Sequence, residues 1–170
     1  MRFVLMLETV LVVLFRALLG FAFLVLIGAV LLQVAGRFGG NSPVWTEEMS
    51  RFALLYLAAL GAGLSLRSGE LVNVDVIIES LPERASWVLR LVSAVAVAVL
   101  GFYLLPMAWK FTAIGAFQTS PALGVTMSFV HFSMFLLLAL LGFFALLRVV
   151  GMLAGTTDGR PHRLTDESEG

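Results

Sequence analysis

No aspartate, glutamate, lysine or arginine occurs between Lys110 and Arg148. At ~1.5 Å per helical residue such a run is nearly twice as long as the ~30 Å needed to cross a bilayer's hydrocarbon core, so the chain has to turn within it. Gly115, Gln118, Thr119, Ser120, Pro121 and Gly124 supply the breakers for that turn and leave Thr126 to Leu147 as one membrane span. Three more uncharged runs precede it: 17–36, 52–66 and 91–109. Only 13% of the residues are charged and 60% are hydrophobic, where a water-soluble domain carries about 25% charged residues. The pattern predicts an all-α, polytopic membrane protein with four transmembrane helices and short interfacial helices.

Taken in order, Met1 to Arg16 carries Arg2, Glu8 and Arg16 among apolar residues. It reads either as an amphipathic lead-in at the membrane surface or as a helical extension of the first span. Gln33-Val34-Ala35 is a poor cleavage site for a leader, because a large residue stands first. Arg37 to Pro43 is a turn by composition. After the second span, Asp75, Glu79 and Glu83 recur at helical spacing and suggest a short interfacial helix over 73–82, while the β-branched run Val72 to Ile78 also suits extended chain. Pro82 and Trp87 lead into span three, which Lys110 closes with Pro106 near its end, where a missing donor costs least. The tail, 151–170, is polar and reads as disordered. An even number of spans places eight of the 11 basic residues on one side, which predicts both termini in the cytoplasm.

Most of the polar information lies between Ser42 and Asp75. Pro43 after Ser42 predicts a helix start with a hydroxyl cap, and Glu47 and Glu48 in the first turn suit the positive end of the helix dipole. Arg51 is spaced to pair with either glutamate, and Trp45 has the character of an interface anchor. The uncharged run Phe52 to Leu66 covers only about 22 Å, short of the core thickness. Its charged ends must therefore snorkel or be shielded by protein. The small residues Ala53, Ala58, Ala59, Gly61, Ala62, Gly63 and Ser65 favour close helix contact.

The ordered pattern Trp45-x-Glu47-Glu48-x-x-Arg51, then Arg67-x-Gly69-Glu70 and Asp75, resembles the small membrane subunit of tripartite ATP-independent periplasmic (TRAP) transporters. Ser120-Pro121-Ala122-Leu123-Gly124 is similar to that family's loop before its last span, with Thr126 in place of a second proline and Leu71 where the family has histidine. The resemblance implies a non-catalytic scaffold in a bacterial inner membrane. It would brace a large permease subunit during ion-gradient-driven import of an organic acid delivered by a periplasmic substrate-binding protein. Trp45, Glu47, Glu48, Arg51, Arg67, Gly69, Glu70 and Asp75 are then candidates for partner docking; the alternative for each is a local structural role, such as Asp75 capping the interfacial helix.

Other chemistries have little to stand on. There is no cysteine, and one of the two histidines, His162, lies in the polar tail, so a haem held by two histidines of one chain is disfavoured. No cofactor, metal or nucleic-acid partner is expected, and no Walker-type loop is present. His131 is the candidate for a membrane-embedded charge; it reads as a neutral histidine bonded to a neighbouring helix, or as a proton-handling group. The latter would be needed by a standalone four-helix transporter acting as a dimer, the competing functional reading.

Overall fold

A computed structural model describes residues 2–41, 43–68 and 82–155, with residues 2–9 described by their backbone alone. Four helices fill this range: α1 (Arg2–Phe38), α2 (Trp45–Ser68), α3 (Glu83–Ile114) and α4 (Met127–Leu153). A single 3₁₀ turn, Gly115–Phe117, follows α3. All four are long and apolar enough to cross a membrane, and among the described residues the only β pairing is one bridge between Thr119 and Thr126.

Each helix outruns its uncharged core. α1 continues through Arg16 without a break, and its 37 residues extend about 55 Å. It ends where Gly40, at φ 72°, lets its own N–H and that of Asn41 return to the carbonyls of Arg37 and Gly36. The second helix starts at Trp45, two residues later than the Ser42–Pro43 signature predicts. Pro43 serves through its carbonyl, which accepts both the N–H and the hydroxyl of Thr46; Ser42 lies outside the described residues. Pro106 is interior to α3 rather than near its end, because the helix runs on past Lys110 to Ile114. The predicted interfacial helix over 73–82 falls outside the described residues.

The four described helices pack in a row in the order α1, α2, α4, α3, and among the described residues α1 and α3 share no contact that would close it. Side-chain pairings set the directions. Tyr56 meets Phe129 and Gly63 meets Leu140, so α2 and α4 run parallel. Trp109 meets Phe135 and Gly101 meets Gly142, so α3 and α4 run antiparallel. Hence α4, last in sequence, inserts between α2 and α3.

Small residues mark the crossings, as expected where lipid gives no hydrophobic drive for helices to associate. A Cβ on Gly101 would lie 2.9 Å from the Gly142 Cα, and one on Gly63 would lie 2.7 Å from the Leu140 Cβ. Ala53, Ala59 and Gly63 of the predicted small face are buried, whereas Ala58 is exposed. The core joins Leu60 and Leu66 to Leu140, Phe144 and Ala145, with Val12 and Phe15 reaching over from α1; the Phe15 and Phe144 rings meet edge to face at 6.5 Å. Apolar side chains such as Leu24, Val99 and Tyr103 remain exposed on the row, which suits hydrocarbon and not water.

Candidate functional site

At one end of the row the first turn of α2 is joined to the loop between α3 and α4. Neighbouring positions on a helix point about 100° apart, and the two glutamates use this difference. Glu47 pairs with Arg51 one turn on, and both side chains stay exposed. Glu48 faces the other way, into the loop. Its carboxylate accepts the Ser120 hydroxyl, the Ala122 N–H at 3.2 Å to either oxygen, and the Leu123 N–H at 3.1 Å. An ionised carboxylate only accepts hydrogen bonds, so three convergent donors match it well. Consecutive backbone N–H groups in a turn make a small anion seat, and here the protein's own side chain fills it.

The loop is shaped to present those donors. Ser120 N–H bonds the Val125 carbonyl at 2.8 Å, and Met127 N–H bonds that of Gln118 at 2.8 Å, which closes the segment on itself. Gly124 turns the chain at φ 66°, a conformation costly for residues with a Cβ, and donates to the Ser120 carbonyl. Ser120 is buried, and its hydroxyl oxygen also accepts the Leu123 N–H. Thr46, held by the Pro43 carbonyl, is fully buried.

Three further bonds tie the same end of the row together. Tyr56 donates its hydroxyl to the Phe129 carbonyl at 2.6 Å, joining α2 to α4. Ser128 donates to the Thr112 carbonyl at 2.9 Å, and His131 Nδ1 lies 3.1 Å from the Phe111 carbonyl, joining α4 to α3. A carbonyl can only accept, so Nδ1 carries the proton in that contact, while the imidazole stacks on the Phe111 ring with centroids 3.9 Å apart. Gly115 sits at the corner, where a Cβ would come within 2.5 Å of the Ser128 nitrogen. Tyr56→Phe removes one interhelical hydrogen bond and should cost about 1 kcal/mol of stability, read as a lower unfolding midpoint in detergent with helix content unchanged.

The sequence candidates separate into three places. Trp45, Glu47, Glu48 and Arg51 belong to this cap, with Trp45 at 40% exposure. Arg67 is in the last turn of α2, about 33 Å away along the helix. Gly69, Glu70 and Asp75 lie outside the described residues. The loop residues that receive Glu48 are legible as a turn but not as its partner, since Ser120 is 72 positions distant. Tyr56 gives no sequence signal beyond a polar tip in an apolar run. Among the described residues no group of three or more His, Asp or Glu side chains is placed to hold a metal. What this arrangement does chemically is hold: it locks three helices and a loop at one end of the row.

Residues 26–155 match the family model described as the DctQ component of tripartite ATP-independent periplasmic transporters. The chain is similar to the sialic acid TRAP transporter small permease protein SiaQ of Vibrio cholerae, at 26% identity over 60% of each chain. It is also similar to a putative TRAP transporter small permease protein of Haemophilus influenzae, at 27% identity over 61% of this chain and 65% of that one. The matched segments thus span about three fifths of the length of these relatives. A third match, at 33% identity, covers 30% of this chain and 8% of the isethionate TRAP transporter permease protein DctMQ of Oleidesulfovibrio alaskensis.

Proposed function

The chain belongs to the DctQ component family of tripartite ATP-independent periplasmic transporters, and on that premise we propose that it is the small permease subunit of such a transporter. In this reading it braces a large permease subunit in a bacterial inner membrane during ion-gradient-driven import of an organic acid. A periplasmic binding protein delivers the substrate. Both termini lie in the cytoplasm and the Glu48 cap faces the periplasm, as the distribution of basic residues favours.

The observation that carries the proposal is the pairing of a locked end with open sides. The cap fixes α2, α3 and α4 relative to one another, while the row leaves broad apolar flanks for a larger membrane partner. The match to a small part of a much larger permease protein supports the same division of labour. Exposed Trp45 and the Glu47–Arg51 pair are the proposed docking residues at the periplasmic end.

The test is a mild-detergent pull-down of the tagged chain from its native membrane, with organic-acid uptake measured in proteoliposomes of each component and of the mixture. Recovery of a large permease, and uptake that needs both chains with an ion gradient, is the expected result. Ion-coupled uptake by this chain alone would overturn the scaffold role.

A further inference from the structure

α3 borders only α4 among the described helices, so one of its flanks meets no other described helix. On that flank Leu91, Val92, Val95, Ala96, Val99 and Leu100 line an open groove of about 510 Å³. No lining residue has a polar side chain. The groove runs nine residue steps along the helix, about 14 Å, which is close to the depth of one leaflet's hydrocarbon. Two turns before its start, on the same face by helical spacing through Val88, Leu91 and Val95, stands the exposed Arg84. Trp87, 37% exposed, flanks it at the level where an amphipathic ring suits the membrane interface. Glu83, the neighbouring acid, points about 100° round the helix.

We propose that this groove holds one acyl chain of an anionic phospholipid whose phosphate rests against Arg84. The lining argues for a lipid over a protein helix. Packing between membrane helices relies on small residues and interhelical hydrogen bonds, and here only Ala96 is small and no side chain can donate. Branched aliphatic walls instead match a flexible chain that adapts its shape. A guanidinium offers phosphate oxygens a planar set of donors, and an arginine's apolar stem can lie in hydrocarbon while its head stays at the interface.

The experiment uses the full chain in nanodiscs of mixed phosphatidylglycerol and phosphatidylethanolamine, followed by native mass spectrometry of the lipid retained in detergent. Wild type should keep phosphatidylglycerol over phosphatidylethanolamine by roughly fivefold, the effect of about one interfacial arginine. Arg84→Gln should abolish that preference, and Arg37→Gln, at the other end of the row, should leave it intact. Val95→Trp, which fills the groove, should lose retention of both lipids while helix content by circular dichroism stays unchanged. Equal retention of the two lipids by wild type, or a preference that survives Arg84→Gln, would overturn the proposal. So would a Val95→Trp variant that keeps its lipid but no longer binds a large permease subunit, because the flank would then belong to protein.

Discussion

Glu48→Ala should free the loop between α3 and α4 from α2 and, in the transporter proposed above, lower uptake more than any other single change of a charged residue. The side chain is the sole acceptor common to the Ser120 hydroxyl and the Ala122 and Leu123 N–H groups, so its removal takes the acceptor from the first two in one step and leaves Leu123 N–H only the Ser120 hydroxyl oxygen at 3.3 Å. The helices themselves persist, since none of these bonds is part of a helical ladder. The variant should therefore keep its helix content while the segment 118–126 becomes sensitive to limited proteolysis and the unfolding midpoint falls. Glu48→Gln should lie between, because an amide keeps one acceptor oxygen but turns an N–H₂ toward donors. Glu47→Ala should leave the unfolding midpoint and the protease resistance of the loop near wild type, since its pairing with Arg51 is exposed and such pairs contribute little to stability. If Glu47→Ala and Glu48→Ala lowered the midpoint and exposed the loop equally, the damage would come from lost surface charge and the stapling role would be wrong.

Two glycines that face each other should respond in opposite ways. A Cβ on Gly101 would press on backbone, 2.9 Å from the Gly142 Cα, 3.0 Å from its nitrogen and 3.2 Å from the Leu138 carbonyl oxygen. Backbone within a helix cannot step aside as a side chain can. Gly101→Ala should cost 1–3 kcal/mol, roughly the range for overpacking, and Gly101→Leu should push α3 away from α4 and prevent stable assembly. A Cβ on Gly142 would meet the Phe102 ring at 3.6 Å, an ordinary contact. Gly142→Ala should be neutral or slightly stabilising, helped by roughly 1 kcal/mol of helix propensity. Unfolding midpoints of the alanine variants, and recovery of the leucine variant from membranes, test this directly; equal tolerance at both positions would mean that the crossing is looser than these distances imply.

Much of the cap is legible in the sequence, though in pieces. Trp45, Glu47, Glu48 and Arg51 stand out because charge is scarce, and the i to i+4 rule alone brings Glu47 to Arg51. The turn between spans three and four is legible from Ser120, Pro121 and Gly124, because breakers act locally. The helix ends are less legible. Pro43 has no N–H to donate, yet its carbonyl takes both Thr46 groups, a role that composition does not announce. Pro106 sits inside α3 because the helix continues through residues of good propensity after it. His131 stands out as an ionisable group in a span; its bond to the Phe111 carbonyl cannot be read from spacing within one helix.

The sequence by itself determined that four helices cross a membrane, because crossing depends on the length of an uncharged run against a fixed thickness, and that is a count along one chain. Only the tertiary structure decided the order of the row, with α4 between α2 and α3, and the choice of the loop at Ser120 as the seat for Glu48. Those outcomes depend on which surfaces approach most closely. Gly101 against Gly142 and Gly63 against Leu140 set that approach between residues far apart in the chain, where no local periodicity reaches.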